Sequence, residues 1–155
     1  MKSPVGSAAM NTGVLLLLVA LLPQHAHAQR LLSLDDQSSR DVLSGPLDVL
    51  LMFEAPWCEP CEMLRPHLIN LYANFNGAEQ IPLFVATIDA ERWTRLAEEH
   101  DVLEYPTILY FPVARRAEPS RFEGTDLASL YDWAREEARS SADARPSAPD
   151  DTRDP

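Results

Sequence analysis

The chain is poor in cysteine, lysine and glycine. Of its 155 residues only two are cysteine and five are glycine, and its single lysine is Lys2. Two cysteines cannot build the multi-bridge framework of a small secreted scaffold, nor a four-cysteine metal site. Positive charge is scarce as well: 13 Lys and Arg stand against 24 Asp and Glu, a net charge of −11 at pH 7. Nucleic acid and anionic membrane would both repel such a chain, which argues against either as a partner. Long apolar runs are also missing. The most sustained, Val14 to Leu22, is less than half of the roughly 20 residues a membrane span requires.

What surrounds that run has the order of a secretory leader. Lys2 precedes it, Pro23 breaks it, and Ala26-His27-Ala28 supplies the small-x-small cleavage pattern. Cleavage is expected after Ala28. The reading divides the chain into residues 1–28 as signal peptide, 29–139 as one domain and 140–155 as a disordered acidic tail. The tail, "SSADARPSAPDDTRDP", holds Ser, Ala, Pro and Asp with no apolar periodicity. The exported chain is expected in a bacterial periplasm first, with the ER lumen or secretion as alternatives. No membrane span is expected in the mature chain.

Between these ends the hydrophobic period alternates. "LDVLLMFEA" (47–55) and "IPLFVATID" (81–89) are dense apolar runs of strand length, suited to burial on both faces. "PTILYF" (106–111) is a third strand and "SRFEG" (120–124) a short fourth; "LLSL" and "SSRDVLSG" give a weak first strand and a short helix. Helical spacing of Leu64, Leu68, Leu71, Tyr72 and Phe75 predicts a helix from Glu59 to near Gly77. Trp93, Leu96, Ala97 and His100 share a second helical face. A closing helix starts near Thr125, expected as its N-cap. Strands alternating with helices, then two adjacent strands and a last helix, predict an α/β fold: a central mixed sheet with helices on both faces.

The chemistry lies in "EAPWCEPCEML" (54–64), which holds both cysteines, Cys58 and Cys61. Three readings compete: a redox pair, half of a zinc site, or a structural link. A disulfide closing so small a loop restricts the unfolded chain little. Zinc needs four ligands, and the nitrogen donors that remain, His67 and His100, match no familiar spacing. Both histidines read as surface or helix-face residues. Redox chemistry leads, because a strand running into a helix places Cys58 where unpaired N–H groups and the helix dipole favour a thiolate. Cys61 then lies one turn along, within reach to resolve a mixed disulfide.

These residues resemble the thioredoxin superfamily over about residues 31–138. "APWCEPC" carries the tryptophan before the pair, Pro66 the proline inside the active-site helix, "ATIDAE" the third strand with its terminal Asp89, and "VLEYPTILYF" the cis-proline segment. The wording Ala-Pro-Trp-Cys and Tyr-Pro-Thr is closer to protein disulfide isomerase domains than to cytosolic thioredoxin. Glu59-Pro60 occurs also in periplasmic thioredoxin-like reductases. The resemblance implies Cys58 as the attacking thiol and Cys61 as the resolving one. Trp57 would flank the sulfur, and Tyr105 with Pro106 would receive an extended substrate; Glu59 and Pro60 would tune the potential.

Two departures stand out. Many relatives carry a buried acid six residues before the first cysteine, where this chain has Met52. Isomerases often follow the glycine before the last helix with arginine, where Gly124 is followed by Thr125 and Asp126. Glu54, Glu59 and Glu62 crowd the motif instead and oppose thiolate formation. The expected function is a secreted or periplasmic thiol–disulfide oxidoreductase, a reductase or isomerase of protein disulfides. It would need no bound cofactor and no metal, only a redox partner to recycle it. The alternatives are a binding or chaperone-like module with weak turnover, and a reductase dedicated to one client.

Overall fold

Strand β2 (Asp48–Glu54) is buried along its whole length, and the remaining elements are arranged to cover it. The computed structural model describes residues 31–145 apart from residue 125; the expected leader and residues 146–155 lie outside the described residues. In chain order the other elements are β1 (Leu32–Leu34), α1 (Asp36–Leu43), α2 (Glu59–Ala73) with a π-helical turn (Asn74–Ala78), β3 (Leu83–Asp89), α3 (Thr94–Glu99), β4 (Thr107–Phe111), β5 (Ser120–Arg121) and α4 (Leu127–Asp143).

The sheet order is β1-β3-β2-β4-β5. Strands β1, β3 and β2 run parallel, β4 runs antiparallel to β2, and β5 runs antiparallel to β4. Because side chains alternate across a strand, β2 feeds two separate cores. Leu50 and Met52 pack with Leu68 and Leu71 of α2 and with Leu130 and Ala134 of α4. Val49, Leu51 and Phe53 pack on the opposite face with Leu96 and Ala97 of α3 and beside Val42 and Leu43 of α1. This is the thioredoxin fold, and the mixed sheet covered on both faces is as the sequence predicts.

Two boundaries differ from expectation. The N-cap of α4 is Asp126, whose carboxylate accepts the Ser129 N–H at 2.9 Å; Thr125, the expected cap, lies outside the described residues. The larger difference is at the other end. The expected tail boundary at residue 140 falls inside α4, which runs on to Asp143 with Ser141 fully buried. The cause is Asp48. Its buried carboxylate accepts from Tyr110 Oη, Val113 N–H, Ser141 Oγ and Arg145 Nη2, at 2.8 to 2.9 Å. Burial opposes the charge, yet these four donors outweigh it and hold Asp48 below the usual carboxylate range. Composition reads 140–145 as tail; two side chains of this stretch reach back to one buried acid and hold it on the domain.

Candidate active site

Strand β2 ends at Glu54, and the chain turns through Ala55, Pro56 and Trp57 before α2 begins. Cys58 is the N-cap of that helix: its N–H donates to Ala55 O at 3.0 Å, and its Sγ accepts from Cys61 N–H at 3.2 Å. A sulfur in that place accepts what a capping oxygen accepts, and negative charge there is favoured by the helix end. Pro60 stands in the first turn, where a missing N–H costs nothing. Pro66 sits further inside the helix, where it cannot donate to the residue four before it. Cys58 and Cys61 are joined as a disulfide, Cα to Cα 5.3 Å.

Helix position distinguishes the two sulfurs more than burial does. Cys58 is 2 % exposed and Cys61 1 %, so the expected contrast between an open and a closed thiol is not visible in the disulfide form. We expect it on reduction: a small alkylating agent should label Cys58 before Cys61, because the helix tip favours the thiolate there. Peptide mapping after a brief pulse checks this, and earlier labelling of Cys61 would reverse the assignment of roles.

The aromatic flank is built across three loops. Trp57 is 68 % exposed, and its indole N–H is tied down by Glu91 Oε1 at 2.7 Å. Its ring meets Tyr105 edge-on at 5.9 Å between centroids. The Tyr105–Pro106 peptide bond is cis. Burial raises the Tyr105 hydroxyl above its usual range, and the charges of Glu91 and Asp89 add to this. Glu91 escaped the sequence reading, although it lies two residues beyond the Asp89 that ends β3.

Glu54 behaves differently from the other two acids of the motif. Glu59 and Glu62 are exposed, whereas Glu54 is buried and accepts from Arg65 Nη2 at 2.6 Å. Its Oε2 has no hydrogen-bond partner among the described residues. Burial pushes this carboxyl above the usual range, against the pull of Arg65. Its charge is therefore matched by an arginine and does not simply crowd the sulfurs. Met52 is completely buried two residues before it, so no carboxylate occupies that point of the strand.

Beside the motif lies a groove of about 580 Å³. It runs from Pro60 and Pro106 to the start of α4, over a floor of Leu64, Ile108, Phe122, Leu127 and Leu130. Met63, 63 % exposed, stands at its edge. His67 lines it too, whereas His100 packs edge-on against Phe111 in the other core. The groove was not readable from the sequence because its walls come from α2, β4, the loop after β5, and α4.

A model of the thioredoxin family matches residues 31–136. Among curated proteins, the chain is 35% identical over 104 residues to a probable protein disulfide-isomerase A6 of Medicago sativa, covering 67% of this chain and 28% of that one. It is 34% identical over 95 residues to human protein disulfide-isomerase A2, covering 61% and 18%. It thus spans less than a third of the curated relatives it matches. The first thioredoxin domain of mouse protein disulfide-isomerase A4 superposes with a TM-score of 0.59 at 26% identity, covering 79% of this chain and 84% of that one. Mitochondrial thioredoxin 3 of Saccharomyces cerevisiae, at 19% identity and a TM-score of 0.57, shares the fold over 68% and 94%.

Proposed function

The chain belongs to the thioredoxin family, and from that premise we propose that it is a thiol–disulfide oxidoreductase working on protein disulfides as a reductase or isomerase. One observation carries the reading: Cys58 caps α2 with its sulfur on the Cys61 N–H, and the helix opens beside Pro106. In the reduced chain the Cys58 thiolate attacks one sulfur of a substrate disulfide. That S–S bond breaks, the other substrate sulfur leaves as a thiolate, and a mixed disulfide forms. The Cys61 thiolate then attacks Cys58 Sγ, releasing the second substrate thiol. Two electrons pass to the substrate, and the chain is left with the Cys58–Cys61 disulfide, which a dithiol partner must reduce for another cycle. Trp57 and Tyr105 form the aromatic wall on one side of the pair. In this reading the backbone of Tyr105 bonds an extended substrate as an added strand.

The direction of the chemistry depends on the groups that flank the pair. Strong oxidants of this kind stabilise the reduced thiolate through a histidine or basic group. Here the intervening residues are Glu59 and Pro60, with Glu62 beyond. Carboxylates raise the energy of a nearby thiolate, leaving the helix end and the Cys61 N–H as its favourable terms. The expected potential is nearer about −270 mV than about −120 mV, and Glu59→His should raise it. Equilibration with glutathione buffers measures both; a value above about −180 mV would overturn the reductase direction.

A second reading, a binding module with slow turnover, is favoured by the buried Met52, which offers no proton acceptor. An insulin-reduction assay separates the two, since a binding module would show no multiple turnover. The leader-like residues 1–28 and the redox use of the only two cysteines support an exported chain, in a periplasm before an ER lumen or the medium. Detection of the chain in a periplasmic extract tests that placement.

A further inference from the structure

The groove beside the motif has a charge pattern that narrows the substrate class. Its floor is apolar, and among the described lining residues it holds neither lysine nor arginine. Acidic residues adjoin its lining both on α2 and on the segment that leads into α4. Glu59 and Glu62 are exposed and adjacent in sequence to the lining residues Pro60 and Met63; Glu123 is exposed and adjacent to Gly124, and Asp126 lines the groove while its carboxylate accepts from Ser129. The one basic lining residue is His67. The nearest arginine on α2, Arg65, is already paired with Glu54.

We propose that this groove selects disulfide substrates whose cysteine lies next to an apolar side chain flanked by lysine or arginine. The apolar side chain covers the floor, and the flanking cations meet these acidic residues. Complementary charge of this kind acts through encounter rate and choice of partner more than through tight binding. Acidic segments are turned away by the same residues. The inference deepens the redox reading and rests on it for the thiol exchange after binding, but the binding preference itself stands on the groove.

The experiment uses the full chain and two short peptides with the same Leu-Cys centre, one flanked by arginines and one by glutamates. Each cysteine carries a fluorescent thiol as a mixed disulfide, and release by the reduced protein gives kcat/KM. In parallel, labelled peptides with serine in place of cysteine are titrated against the oxidised protein, with anisotropy as the readout. The arginine peptide is expected to lead by about tenfold at low salt in both assays, with the ratio falling towards one as salt screens the carboxylates. Replacing its leucine by serine should weaken binding. The double change Glu62→Arg, Glu123→Arg should reverse the preference, and the ratio between peptides cancels any general loss of activity. A binding ratio within about twofold at low salt, well below what such steering gives, overturns the proposal. If neither peptide releases its thiol while the binding ratio holds, the redox reading fails and the charge selection stands.

Discussion

Truncation after Ser140 is expected to lower the melting temperature by on the order of 10 °C. The cut removes Ser141 and Arg145, two of the four donors on the Asp48 carboxylate, together with the last turn of α4. Hydrogen bonds to a charged group contribute about 1.5–3 kcal/mol each, and Arg145 counts for less because its side chain is 37% exposed. The loss should therefore be about 3 kcal/mol, most of it from leaving a buried charge partly unpaired. Truncation after Arg145 keeps every one of these contacts and should shift melting by no more than about two degrees. The pH dependence has a definite sign. Asp48 is held below the usual carboxylate range, so its contribution is complete above that range and lost as pH falls through the lower folded value. The truncated chain, with less to lose, should show a shallower decline on acidification. Thermal melts of the two truncations at neutral and acid pH check both points; equal melting temperatures would show that the four-donor cluster contributes nothing.

Asp48 also marks where the sequence stops being readable. The strand it begins was legible because burial on both faces leaves an unbroken apolar run, and β3 was legible for the same reason. The helix after Cys58 was legible because its apolar spacing is regular and its start carries the cysteine pair. An acid at the head of a strand, by contrast, looks like an ordinary boundary residue. Its partners come from Tyr110, Val113, Ser141 and Arg145, separated from it by 62 to 97 positions, and no local pattern announces them. Ser141 and Arg145 lie in a stretch whose composition alone argues for disorder. Glu54 was misjudged for a related reason. Its neighbours in sequence place it among exposed acids, while strand alternation turns it inward towards Arg65, one helical turn beyond Cys61. The aromatic wall was partly legible: Trp57 and Tyr105 stand out beside their motifs, but the Glu91 that anchors the indole becomes a neighbour only through the β2–β3 pairing.

Cys58→Ser is expected to reduce disulfide-reductase turnover by at least about a hundredfold, the scale on which loss of a nucleophile is felt. Serine can still cap α2, so the fold should survive and the loss should be chemical. Cys61→Ser should behave differently. Cys58 keeps its place at the helix tip and can still open a substrate disulfide, but nothing remains to resolve the adduct. The variant should therefore accumulate a mixed disulfide, visible as a mass increase removed by dithiothreitol. The two changes thus separate attack from resolution. They also test the burial seen here, because both sulfurs are almost fully covered in the disulfide form and Cys58 must become reachable once reduced. Insulin turnover and intact-mass measurement supply the readouts. A mixed disulfide that accumulates on Cys61 in the Cys58→Ser chain, with none on Cys58 in the Cys61→Ser chain, would exchange the roles of the two sulfurs. An adduct confined to Cys58 assigns the attack to the sulfur at the helix N-cap.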